Sequence, residues 1–137
     1  MTSYESTIKT ISANNEMVFA KLANLKNLEA LKENIPSNAP IQDIDVDVDS
    51  IHFSIQPIGK MGLRIIERNE FDSIKLEAEN SPVSFNTLIQ FIPINKDETN
   101  LKITLNAEIP MMIKMMLGNK LEDFVNQLAE ALTKIEY

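Results

Sequence analysis

The chain has 137 residues, is 44% apolar and carries a formal net charge of −7, which fits one globular domain over residues 1–137 with one sizeable core. That charge argues against nucleic acids and anionic lipid headgroups, because both are bound through clustered Lys and Arg. The absence of cysteine excludes disulfides, thiolate nucleophiles and Cys-based zinc sites and suits a reducing cytoplasm; the opening residues lack a signal-peptide pattern, and no apolar run approaches the ~18 residues of a membrane span, so stable membrane insertion is not expected.

Residues 3–11, rich in Thr and Ile, read as a first strand. Ser12 or Asn14 then caps a helix carrying Met17, Val18, Leu22 and Leu25 at helical spacing. A second short helix or a continuation carries Leu28, Leu31 and Ile35, and Pro36 and Pro40 bracket a loop. Ile44, Val46 and Val48 then alternate with Asp43, Asp45, Asp47 and Asp49, the period of a strand with one apolar and one acidic face. Asp49-Ser50 turns the chain into a strand in which Ile51, Phe53 and Ile55 alternate with His52, Ser54 and Gln56.

Residues 57–62, with Pro57, Gly59 and Gly62, supply the next turn. Residues 63–69 form a fourth strand, and Ile74, Leu76 and Ala78 mark a fifth. Residues 83–94 form a long sixth strand with apolar residues on both faces. After the polar loop 95–100, Leu101, Ile103, Leu105, Ala107 and Ile109 mark a seventh. Pro110 opens a helix through residue 135. Leu117, Leu121, Phe124, Val125, Leu128, Leu132 and Ile135 trace one of its faces. At 1.5 Å per residue it would span ~39 Å, enough to cross a sheet of ~30 Å strands. The expected class is α+β, a curved seven-stranded antiparallel sheet around a long C-terminal helix, with two short helices between strands 1 and 2.

Three segments carry a family resemblance. Thr10-Ile11-Ser12-Ala13-Asn14-Asn15-Glu16-Met17-Val18-Phe19 looks like an opening strand, capped turn and first helix. Leu25-Lys26-Asn27-Leu28-Glu29-Ala30-Leu31 is similar to a second helical stretch, and Thr99-Asn100-Leu101-Lys102-Ile103-Thr104-Leu105 to a last strand before a long helix. In this order they resemble the helix-grip fold of the START-related, SRPBCC or Bet v 1-like superfamily, over essentially the whole chain. Leu28 and Leu31 stand where that superfamily often has Trp. The resemblance implies a hydrophobic ligand between sheet and helix, and no catalytic residue is carried over from it.

The candidate wall of such a site consists of Phe53, Ile55, Leu63, Ile65, Leu76, Ile103 and Leu105, with Phe85, Thr87, Ile89 and Phe91 turned inward from the sixth strand. Thr87 would offer one hydroxyl to a ligand head. Phe124 joins from the long helix, together with Met112, Met115 and Met116, since Met adapts to irregular space. Six of the seven residues 111–117 are apolar, too many for one buried face, so some must meet something besides the sheet.

The acidic strand reads as a solvated face. Alternate strand residues are ~6.6 Å apart, whereas calcium needs its oxygens within ~5 Å of one another. Strand parity sends His52 toward solvent, and Arg64 and Arg68 are expected on the outer face with Glu67 between them. Phosphate-cradling, nucleophile-elbow and zinc-protease motifs are all missing. The expected function is the holding of a hydrophobic small molecule, by a carrier or sensor with no metal and no cofactor. A cyclase or dehydratase using the same pocket, with Thr87, Asn86 or Arg64 inside, is the alternative. An interaction module, such as a homodimer joined through the Met surface, is a further one.

Overall fold

The computed structural model describes residues 2–30, 41–55, 59–81, 83–117, 119–135 and 137. Its frame is one antiparallel sheet: β1 (Thr2–Glu5), β2 (Lys9–Ile11), β3 (Ile41–Val46), β4 (Ser50–Ile55), β5 (Gly59–Asn69), β6 (Ser73–Glu79), β7 (Ser84–Asn95) and β8 (Glu98–Glu108). The strands run in the order β1-β8-β7-β6-β5-β4-β3, with β2 also paired to β8. The α+β class and the antiparallel sheet match the expectation. Among the described residues the sheet has eight strands where seven were expected, because the first expected strand is divided.

That division has an identifiable cause in long-range contacts. Ser6 is buried, and its Oγ accepts from Ile103 N at 3.0 Å. Thr7 N turns away to donate to Asn126 Oδ1 at 2.8 Å, on the C-terminal helix. Ser6 N still donates to Ile103 O at 2.9 Å, so regular pairing ends at Glu5, the chain leaves β8 after Ser6, and it rejoins at Lys9, whose register partner is Leu101.

α1 (Asn15–Leu22) is capped by Asn14, whose side chain accepts from Met17 N at 2.8 Å. Val18 and Leu22 are buried and Met17 is exposed. A 3-10 helix follows at Leu25–Ala30 and buries Leu25 and Leu28. Leu31 and Ile35, expected on a second helix, lie outside the described residues.

The acidic strand is less regular than its alternation implied. Asp43 has φ 55°, and the β3–β4 register shifts between Gln42 and Asp45, as at a β-bulge. β3 ends at Val46, and Val48 is exposed in the turn that follows. A second shift, between Ile65 and Glu67 on β5, leaves Ile66 exposed. β7 and β8 alternate cleanly. Phe85, Thr87, Ile89 and Phe91 are all buried, and so are Leu101, Ile103, Leu105 and Ala107.

The long C-terminal helix is two helices, α2 (Met111–Leu117) and α3 (Lys120–Leu132). Asn119, with φ −92° and ψ 8°, starts α3 without a side-chain cap bond. α3 alone would span ~20 Å, half the expected rod. It buries Leu121, Val125, Ala129 and Leu132 at spacings of four, four and three. The inner side of β7 is thus shared. At one end Phe91 meets Phe19 of α1, ring centroids 6.2 Å apart at 87°. The Phe85–Thr87 end lies with α3 around the cavity described next.

Candidate functional site: an apolar cavity under α3

β4 and β5 contribute Phe53, Met61 and Leu63 to an interior cavity. β7 adds Phe85 and Thr87, and β8 adds Ile103, Leu105 and Ala107, with Val83 and Ile109 just outside those strands. α3 closes the cavity with Leu121, Phe124, Val125 and Leu128. Phe124 is half-buried, and its ring lies 6.3 Å from that of Phe53. The cavity volume open to water centres is about 40 Å³. Sites for drug-sized ligands run to hundreds of Å³, so a guest of that size requires the wall to move.

The electrostatics of this wall are simple. Among the described residues none that lines the cavity is titratable, so these side chains offer no acid or base for proton transfer. The one polar side chain among the described lining residues is Thr87, 5% exposed, whose Oγ1 is buried without a hydrogen-bond partner. The sheet register explains the isolation. Thr87 stands opposite Leu76 on β6 and Leu105 on β8, and neither offers a polar atom.

Of the residues expected on the wall, Phe53, Leu63, Phe85, Thr87, Ile103, Leu105 and Phe124 come together there. Ile65, Leu76, Ile89 and Phe91 are buried elsewhere in the core. The side chain of Ile55 lies outside the described residues. The placement of the methionines is corrected: Met112, Met115 and Met116 are 78%, 76% and 61% exposed, and none lines the cavity. Among the described side chains of α2, Ile113 packs against the core. Met61, Val83, Ala107, Ile109, Leu121, Val125 and Leu128 are additional lining residues. Counting by twos from Leu63 and Leu105 finds Met61, Ala107 and Ile109, and helical spacing around Phe124 finds Leu121, Val125 and Leu128.

The polar candidates gather on the other face of the sheet. His52, Gly62 and Glu79 are register neighbours across β4, β5 and β6. The His52 ring lies over Gly62 and places Nε2 3.1 Å from Glu79 Oε2. Arg64 Nε donates to Glu79 Oε1 at 2.7 Å. This hydrogen bond, reinforced by the Arg64 and His52 charges against an opposing desolvation, holds the Glu79 carboxyl below its ordinary range. Arg68 pairs with Asp49 and donates to Ala23 O at 3.0 Å. Asn86 accepts from Asn106 Nδ2 at 3.1 Å. None of these groups reaches the cavity wall. Asp43, His52, Ser54, Lys60 and Asn80 edge an open groove. Among the described residues, no group of three His, Cys, Asp or Glu side chains is placed to hold a metal ion, and no helix is long and apolar enough to cross a membrane.

No protein-family model and no curated protein sequence matches the chain. Solved structures do match in shape. Norcoclaurine synthase from Thalictrum flavum, in complex with dopamine and hydroxybenzaldehyde, superposes at TM-score 0.66 with 12% identity over 97% of this chain and 84% of its own. A START superfamily protein from Mycobacterium smegmatis gives 0.63 with 15% identity, over 96% and 94% of the two chains. The protein XoxI from Bacillus cereus gives 0.68 with 15% identity, over 98% and 94%. At such identities the likeness concerns architecture alone: the chain has the START-related, SRPBCC or Bet v 1-like fold.

Proposed function

We propose that this chain, acting as one domain, binds a small hydrophobic molecule between its sheet and α3 and serves as a carrier or sensor. One observation carries the reading: an interior wall of apolar side chains from four strands and one helix, around space that remains unfilled. Burial of apolar ligand surface supplies the affinity, ~25 cal/mol per Å² before ordering costs. The Thalictrum structure, of the same fold, is in complex with two small molecules, which supports a ligand-holding role. The lack of titratable groups on the wall favours binding over a cyclase or dehydratase reaction. Thr87 is inside, but Asn86 and Arg64 are committed to the outer face. Entry of a guest requires a displacement of Phe124 or of α3 that carries it, since the volume is about 40 Å³. A chain without cysteine suits the reducing cytoplasm in which we place it.

A fluorescence titration with N-phenyl-1-naphthylamine tests this reading. The wild type should bind saturably, and A107L, which puts three extra carbons into the cavity, should weaken binding at least about tenfold while staying folded by circular dichroism. Equal binding by both proteins, or none by the wild type, overturns the reading. A second reading, contact with a protein partner or a second copy through α2, is favoured by the exposure of Met111, Met112, Met115 and Met116. Light scattering of the wild type and M112E/M116E separates it; an unchanged monomer counts against self-association.

A further inference from the structure

Thr87 gives the proposed cavity a chemical preference. Three other buried hydroxyls have partners. Ser6 Oγ accepts from Ile103 N at 3.0 Å, Ser73 Oγ accepts from Asn69 Nδ2 at 3.0 Å, and Thr99 Oγ1 donates to Ala13 O at 2.8 Å. The Thr87 hydroxyl has no such partner, although its residue is 95% buried by complement of its 5% exposure. A hydroxyl offers one donor and two acceptor positions, and leaving all of them unmade in an apolar interior is costly. A Val at this position would fill the same shape without that cost. A lone water is a poor substitute, because a buried water requires two to four polar partners and this wall supplies one.

We infer that the guest is an uncharged, mostly apolar molecule carrying one hydroxyl or carbonyl group, and that this group hydrogen-bonds to Thr87 Oγ1. The inference rests on the cavity reading above and specifies the ligand class for the same site. A charged guest is disfavoured because, among the described residues, the wall holds no Lys, Arg, His, Asp or Glu to pair with it, and an unpaired ion in an apolar interior is costly. A second polar group on the guest is disfavoured for the same reason, since one hydroxyl satisfies one head. Thr87 thus orients the guest, while the surrounding Phe85, Leu105 and Leu128 supply apolar contact.

Three probes of one shape separate the outcomes at about pH 7, where naphthoate is ionised: 2-naphthol, 2-methylnaphthalene and 2-naphthoate, titrated by calorimetry into wild type, T87V and T87S. The wild type and T87S should bind naphthol about 3- to 10-fold more tightly than methylnaphthalene, the range of one net hydrogen bond. T87V should bind the two equally. Naphthoate should bind every protein at least about 100-fold more weakly. A naphthol preference that survives in T87V, or naphthoate binding as tightly as naphthol, overturns the inference. If methylnaphthalene binds without any Thr87-dependent preference, this inference alone fails. If neither neutral probe binds, the cavity reading fails with it.

Discussion

Replacing Thr87 by Val should make the protein more stable. A buried Thr→Val substitution ordinarily sacrifices a hydrogen bond and loses about 1 kcal/mol. Here no bond is lost, because Oγ1 is unpartnered and both cross-strand neighbours are Leu. The substitution removes a hydroxyl desolvation cost of about 1–3 kcal/mol. It adds a buried methyl worth about 0.8 kcal/mol. Allowing for imperfect packing of the new methyl, the net gain should be about 1–2 kcal/mol. With a urea slope of about 2 kcal/mol per molar, the middle of the usual range for small domains, the midpoint should rise by about 0.5–1 M. The chain has no Trp and two Tyr, so far-UV circular dichroism is the suitable signal. An unchanged slope with a midpoint lowered by the equivalent of about 1 kcal/mol would show that the hydroxyl has a partner, and the reasoning about the ligand head would fall with it. The informative combination is a gain in stability together with a loss of naphthol preference.

Other outcomes follow from the outer face and the chain end. An ideal Cβ on Gly62 would sit 2.5 Å from His52 Cδ2 and 3.2 Å from Glu79 O, so G62A should destabilise by about 1–3 kcal/mol; H52A/G62A should recover most of this in urea melts, and strict additivity of the two changes would contradict the stacking of His52 over Gly62. The folded-state pKa of Glu79 lies below 4.5, so its pairing stabilises the fold above that pH and is lost as pH falls through the folded value; wild type and R64Q should therefore differ at neutral pH and converge in acid, and a constant difference would contradict the assignment. Tyr137 donates its hydroxyl to Leu132 O at 2.6 Å, and burial pushes the phenol pKa above 10; its neutral form is favoured by folding, so stability should fall as pH rises past 10, and Y137F should lessen that loss in alkaline melts.

The alternation along β8 was readable directly, since Leu101, Ile103, Leu105 and Ala107 are each at most 6% exposed. Parity likewise placed Thr87 with Phe85, but its lack of a partner depends on Leu76 and Leu105, which arrive from other strands. The break between β1 and β2 was not legible locally, because it is made by Asn126, 119 residues away from Thr7. Asp43 has φ 55°, a region Asp tolerates better than most residues, but with Asp45, Asp47 and Asp49 close by the residue type did not single out the position of the kink. The split of the terminal helix had a visible cue. The Gly118-Asn119 pair stands just before α3, whose buried stripe starts at Leu121. Treating the apolar run before that pair as buried assumed that hydrophobic residues must find cover. Met111 and Met112 show the converse, at 70% and 78% exposed.

The central claim is that the space beneath α3 opens to an apolar guest. Of the seven methionines, Met61 lies on the cavity wall, and Met111, Met112, Met115 and Met116 lie exposed on α2. Methyl-labelled methionine therefore gives one reporter inside and several outside. Titration with 2-methylnaphthalene, followed by proton–carbon correlation spectra, should shift the Met61 methyl saturably. A Met61 signal that stays fixed while the α2 methyls move, or while nothing moves, would contradict the account.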